Sequence, residues 1–256
     1  MTAVIIARQR DCIFVATDGA TYSQTGETLL FTNKVLAIPH LNMVITNTGS
    51  AGATPWMAIE LAKQQFSSFD DMILAMPYRM PKILKACPVD LGTDIMLAGI
   101  SEERGPESYV FRLNDELPMT GSREEVEASP YYADAPGELV KLPDLIMTPI
   151  PTDQVIPANF EGVDLDGDVD SVTWSLKKII TMQRHMDLPR GIPGIGGFAQ
   201  LTTISADGIT QRILQRWAED KIGPMLRHDL IDWSQWHRDN PKPGSVERKP
   251  ALRLVQ

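Results

Sequence analysis

Two short apolar runs open the chain, Ala3 to Ala7 and Cys12 to Thr17, both rich in β-branched residues. The polar Arg8-Gln9-Arg10-Asp11 lies between them, so the pair predicts a β-hairpin. Folded about Gln9-Arg10, it sets Thr2 opposite Thr17; a three-residue turn sets Thr2 opposite Asp18. Either register brings Asp18 within about one strand spacing of the first residues.

Lys34 to Ile38 and Met43 to Thr46 read as a second strand pair, closed by the small-residue turn Gly49-Ser-Ala-Gly-Ala. Thr54-Pro55 supplies a cap and a first-turn proline for a helix through about Gln65. A further helix starts near Asp70, with Pro77 and Pro81 kinking or ending it. Asp94 to Ser101 and Tyr109 to Leu113 are strands across a Gly105-Pro106 turn. From Gly121 to Gly167 the chain is polar, proline-rich and weakly patterned, an insertion with one or two strands near Leu139 to Ile150. Val172, Leu176, Ile179, Ile180 and Met186 then fall on one face of a helix from Ser171 to Met186. Strand Gln200 to Ser205, its partner near Ile213 to Trp217, and a docked helix with Trp233 and Trp236 complete the pattern.

The early strands are almost continuously apolar, which requires cover on both faces. Two antiparallel sheets between helical layers meet that requirement, an α+β architecture. Residues 1–239 read as a single domain with the insertion at about 121–167, and residues 240–256 as an extended C-terminal tail.

Composition narrows the function. The chain has 256 residues, 43% hydrophobic, with a formal charge of −9. That charge argues against nucleic acid and anionic membrane as partners. No apolar stretch is long enough to span a bilayer, and no secretory signal opens the sequence. Cys12 and Cys87 are the only cysteines. Their spacing suggests no disulfide framework, and a cytoplasmic location is expected. The run Asp164, Asp166, Asp168, Asp170 lacks the glycine and glutamate of a calcium loop and reads as an acidic approach to the Ser171 helix. His40, His185, His228 and His237 lack ligand spacing, so no metal or cofactor is expected.

The candidate chemistry lies at the front of the chain. Thr2 follows the initiator methionine, Asp18 comes sixteen residues later, and Lys34 sixteen after that. Methionine is commonly trimmed ahead of a residue as small as threonine. The exposed α-amine, with a reference pKa of about 7.7–8.0, can take the hydroxyl's proton near neutrality. Lys34 opens an apolar strand, where a buried ammonium needs a carboxylate, and Asp18 is the natural partner. Beside Thr2 that ammonium lowers the proton affinity of hydroxyl and amine. The bland alternative is a salt bridge between strand ends. Gly49 offers a backbone N–H suited to an oxyanion, or is simply a turn glycine.

Thr2-Ala-Val-Ile-Ile-Ala, Phe14-Val-Ala-Thr-Asp18-Gly-Ala-Thr, Asn33-Lys34-Val-Leu-Ala-Ile and Thr48-Gly49-Ser50-Ala51-Gly52 occur in that order. Together they resemble the start of a proteasome β-type subunit, within the N-terminal-nucleophile hydrolases. Asp18-Gly-Ala-Thr is closest to the simpler bacterial threonine-protease ring. The resemblance implies a four-layer αββα sandwich and a threonine-type peptidase or amidohydrolase. It further implies a peptide or protein substrate, a homo-oligomer in the form of a ring, and an ATPase partner. It implies catalytic roles for Thr2, Asp18, Lys34 and Gly49. One extra residue separates Lys34 from Gly49 relative to that pattern, so Thr48 or Gly49 fills the oxyanion position. The pattern's supporting residues match less well: Gly121-Ser122 is weak, and Asp187 precedes Gly196-Gly197 without the expected serine. A non-catalytic interaction protein that retains the fold is the alternative.

Overall fold

The computed structural model describes residues 2–88, 93–114, 135–150, 160–186 and 194–244. Its strands are β1 (Val4–Arg8), β2 (Cys12–Asp18), β3 (Ala20–Tyr22), β4 (Thr28–Phe31), β5 (Leu36–Ile38), β6 (Met43–Gly49), β7 (Thr93–Ser101) and β8 (Gly105–Arg112). They continue with β9 (Val140–Lys141), β10 (Leu145–Thr148), β11 (Phe198–Ser205) and β12 (Gly208–Arg216). The α-helices are α1 (Ala53–Ala62), α2 (Phe69–Lys85), α3 (Val169–Arg184) and α4 (Trp233–Asp239). The class is α+β.

Two five-stranded sheets carry the fold, in the orders β10-β1-β2-β11-β12 and β5-β6-β7-β8-β9, and β3-β4 forms a separate hairpin. Every pairing in them is antiparallel. Side-chain alternation divides β1 cleanly. Ala3, Ile5 and Ala7 join a cluster with Val172, Leu176, Ile179 and Ile180 of α3. Val4 and Ile6 join Val44, Met96, Ala98 and Val110 of the other sheet. Met57, Leu61, Met72, Met76 and Met80 of α1 and α2 cover Met43, Ile45, Ile95 and Leu97. The continuously apolar strands are thus buried on both faces.

The first hairpin forms, in neither register expected. Gln9 N–H donates to the Cys12 carbonyl at 2.9 Å, closing the turn over Arg10-Asp11. Val4 therefore faces Thr17, and Asp18 N–H reaches the Ala3 carbonyl at 3.4 Å. The shift sets Ala3, rather than Thr2, across from Asp18.

Helix α1 starts at Ala53 behind Gly52, with no side-chain cap. Thr54 is not the cap because its hydroxyl donates to Asn47 Oδ1 at 2.6 Å. Helix α2 is capped by Ser68, whose hydroxyl accepts from Asp71 N–H, and runs through both Pro77 and Pro81. Both prolines lie one turn apart on the exposed face, where freed carbonyls can bond to water. Within the expected insertion, β9 pairs with β8 and β10 with β1, so each strand extends a main sheet. The rest of that stretch at 121–134 and 151–159 lies outside the described residues, as do Gly121, Ser122, Asp187 and the tail from 245. Asp168 caps α3 by accepting from Ser171 N–H at 2.8 Å. Among the described residues, no helix is long and apolar enough to cross a membrane.

Candidate functional site

The ends of β1 and β2 and the segment leading into β5 meet around one buried carboxylate. Asp18 closes β2 and is fully buried. Its Oδ1 accepts from Ala3 N–H at 3.0 Å and from Lys34 Nζ at 2.7 Å. Its Oδ2 accepts from Ala20 N–H at 3.2 Å and Gly196 N–H at 3.3 Å. Four donors fix one side chain, three of them backbone groups from separate segments. Such an anion is held in a single orientation.

Lys34 sits just before β5 rather than within it. Its side chain is 11% exposed, and Nζ also points to Thr2 Oγ1 at 3.4 Å. Burial pulls the ammonium's pKa below the ordinary lysine value, while the charge and hydrogen bond of Asp18 draw it back up. One cation therefore joins the predicted carboxylate to the predicted hydroxyl. Thr2, Asp18 and Lys34 lie together, as their spacing suggested.

Gly49 ends β6 with φ of +101°, a conformation that suits glycine. Ile100 N–H donates to the Asn42 carbonyl at 3.2 Å, which sets the alternation of the β6–β7 ladder. Counting along it, Thr48 bonds toward β7 and the Gly49 N–H turns the other way. That is the side of β5 and of the chain from Lys34. Of the two residues considered for the oxyanion position, Thr48 therefore turns its N–H toward β7 and Gly49 turns its N–H away from it.

A separate network holds this turn. Asn47 Nδ2 donates to the Ser50 carbonyl at 2.8 Å and to Thr93 Oγ1 at 3.2 Å, while Thr93 Oγ1 accepts from Ser50 N–H at 3.0 Å. Thr93 in turn donates to the Thr48 carbonyl. Asp94, paired with Thr48, has its pKa raised by burial, against the pull of the Thr48 hydrogen bond and the Arg112 charge. These are polar residues at a strand end, and nothing in their spacing marks them in the sequence.

Arg184 was also missed. It is fully buried and forks onto Asp220, with Nη1–Oδ2 and Nη2–Oδ1 both 2.8 Å. Nη2 also reaches Glu219 Oε1 at 2.9 Å, and the guanidinium lies 4.3 Å from the centre of the Trp217 ring. Its signal was present: Leu176, Ile180 and Arg184 are spaced one helical turn apart, and a cation continuing an apolar stripe demands a buried anion. Tyr22 donates its hydroxyl to the Gly194 carbonyl. Burial, then the charges of Asp18 and Asp220, push its pKa far above the ordinary tyrosine value, so it stays a phenol. Burial likewise raises the thiol pKa of Cys12 and Cys87, which leaves them poor nucleophiles.

The acidic run forms no metal-binding group among the described residues. Asp164 Oδ1 accepts from Asp166 N–H, and Asp168 is occupied as the helix cap. The tryptophans are internal packing: Trp174, Trp217 and Trp236 are buried, and Trp174 and Trp233 each meet Trp236 edge-on with centroids 5.6 Å apart.

No family model and no curated protein matches this sequence. Solved structures do match in fold. An Anbu (ancestral β-subunit) from Yersinia bercovieri aligns with a TM-score of 0.57 at 9% identity, covering 83% of this chain and 87% of that one. An Anbu (Gly-1) mutant from Hyphomicrobium sp. strain MC1 aligns with a TM-score of 0.58 at 11% identity, covering 86% and 90%. These neighbours correct the resemblance drawn from the first sixty residues. They are Anbu proteins, a proteasome-related family distinct from the proteasome β-type subunits and the bacterial threonine-protease ring. At such identity the likeness concerns the fold alone.

Proposed function

We propose that this chain is a threonine-type amidohydrolase of Anbu-like fold that uses Thr2 as an N-terminal nucleophile once Met1 is removed. The observation that carries the reading is the Lys34 ammonium, held at 2.7 Å by the buried Asp18 and directed at the Thr2 hydroxyl at 3.4 Å. In this reading Thr2 Oγ1 attacks a peptide carbonyl while the Thr2 α-amine takes its proton. The Lys34 cation stabilises the developing alkoxide, and the Gly49 N–H donates to the tetrahedral oxyanion. Collapse breaks the C–N bond, the Thr2 α-ammonium returns the proton to the departing amine, and water hydrolyses the ester at Thr2. The two sheets sharing one apolar cluster, with α1 and α2 over one and α3 over the other, support reading the fold as a four-layer αββα sandwich. Ile59, Leu74 and Tyr78, left exposed on α1 and α2, support a homo-oligomer.

A peptide epoxyketone tests the mechanism, because stable closure onto the protein needs a hydroxyl and a free amine on adjacent carbons. Intact mass should show Met1 absent and one adduct, mapped to Thr2 and lost in Thr2→Ala. A retained Met1, or an adduct that persists in Thr2→Ala, overturns the proposal. Ile195 stands directly before Gly196-Gly197 where the resemblance implied a serine. That departure favours the second reading, an interaction protein that keeps the ion pair as structure, and retained Met1 is its expected signature.

A further inference from the structure

The segment from Gly194 to Gly197 is clamped from two sides. On one side Gly196 donates its N–H to Asp18 Oδ2, and its carbonyl accepts from Gly19 N–H at 3.1 Å. On the other, Asp220 Oδ2 accepts from Gly197 N–H at 2.6 Å, and Arg184 Nη1 donates to the Ile195 carbonyl at 2.8 Å. Three consecutive residues are therefore tied alternately to the candidate site and to the buried ion pair. The approach is close: a Cβ at Gly196 would lie 2.4 Å from both Asp220 Oδ2 and Leu226 Cδ1, and 2.8 Å from Arg184 Nη1. At Gly197 φ is +77° and a Cβ would lie 2.4 Å from Phe31 Cδ1. Neither glycine leaves room for adjustment without moving its neighbours.

We propose that the Arg184–Asp220 pair is a positioning unit for the Asp18–Lys34 site, acting through the Gly196–Gly197 backbone. The inference rests on the amidohydrolase reading. Gly196 N–H is one of the two backbone donors, with Ala20 N–H, that set Asp18 Oδ2. Release of the Gly196 bond loosens the carboxylate's grip on Lys34, whose other hydrogen-bonded neighbour among the described residues is the uncharged Thr2 hydroxyl. Among the described residues Asp18 is the one anion bonded to Lys34; Tyr22, Asp220, Arg184 and His228 lie beyond it around the Gly194–Gly197 segment.

The test is the pH profile of kcat in Asp220→Asn, an isosteric change that weakens the pair, with Glu219→Gln as control. Glu219 is 67% exposed on its side chain and bonds Arg184 through Nη2, not through the Nη1 that holds the Ile195 carbonyl. With Asp18 loosened, Lys34 loses its proton more readily, so the alkaline limb should move down by about one pH unit or more while KM holds. Glu219→Gln should leave the limb in place. A role confined to stability lowers the melting temperature and leaves the limb unmoved, and that result overturns the proposal. Should Asp220→Asn fail to fold, amide hydrogen exchange of the wild-type protein decides. Gly196 and Gly197 should be protected within about tenfold of one another, because one clamp holds both. Exchange at Gly196 about a hundredfold faster than at Gly197 refutes the coupling. Failure here is distinct from failure of the amidohydrolase reading, in which Thr2→Ala itself leaves activity intact.

Discussion

Asp18→Ala tests the centre of the site without needing a substrate. The substitution strips the Lys34 ammonium of its 2.7 Å partner and takes an acceptor from the Ala3, Ala20 and Gly196 N–H groups. An uncompensated buried charge costs about 3–5 kcal/mol. Deprotonation sets a ceiling on that term. A lysine of reference pKa about 10.4 gives up its proton at pH 7 for roughly 4.6 kcal/mol, at 1.36 per unit. The orphaned amides add up to about 1 kcal/mol each, less as water enters the vacated space. The expected loss is about 4–6 kcal/mol, or roughly 10–20 °C in melting temperature for a chain of this size.

The loss also carries a pH signature. In the variant the folded state holds Lys34 neutral while the unfolded chain stays protonated to about pH 10.4. The unfolded state then binds the extra proton, so stability rises with pH by up to about 1.4 kcal/mol per unit above neutrality. In the wild type Asp18 raises the Lys34 pKa toward its ordinary value, so the same rise is confined to a narrower window near that value. Urea denaturation at about pH 7 and about pH 9 measures both effects, with Lys34→Met and the double variant completing a cycle. The double variant should be more stable than Asp18→Ala at neutral pH, because it carries no stranded charge. A loss below about 1 kcal/mol, or a pH slope equal to the wild type's, refutes the buried-pair account.

Thr2→Ala should abolish peptide hydrolysis without changing the melting temperature and Thr2→Ser should retain part of it; full turnover by Thr2→Ala removes Thr2 from the mechanism. Thr54→Ala deletes the 2.6 Å bond to Asn47 that steadies the Gly49 turn, so a stability loss of about 1–2 kcal/mol by urea melts and a fall in kcat at constant KM are expected. His228 is pushed down to about 4, first by burial and then by the Arg184 charge. The unfolded chain binds its proton first, so stability should fall as pH drops from about 6.5 through 4, by about 2 kcal/mol after discount for partial exposure. His228→Asn should flatten that stretch of the denaturation profile. Light scattering at micromolar concentration should give a mass above that of one 28.4 kDa chain, and a monomer rules out the homo-oligomer.

The parts of this fold that the sequence disclosed are those governed by local rules. The continuous apolar runs of β1 and β2 and the one-turn spacing in α3 bring their own hydrophobic pattern with them, and these elements formed close to their predicted bounds. The first register failed for a local reason as well, since apolar alternation does not count the residues in a turn and the Gln9–Cys12 bond does. What lay beyond reading was any contact made by a peptide group. Asp18 could be matched to Lys34 by charge, yet three of its four donors are backbone N–H groups, which every sequence carries at every position. The same limit hid the clamp on Gly196-Gly197, because the two glycines announce close approach without saying to what. Arg184 was the readable half of that answer: a guanidinium on the apolar stripe of α3 had to find an anion in the core, and its anion, Asp220, is the one that holds Gly197. Buried charge placed against pattern therefore locates such a support before the backbone is known, whereas the peptide groups it fixes emerge only from the fold.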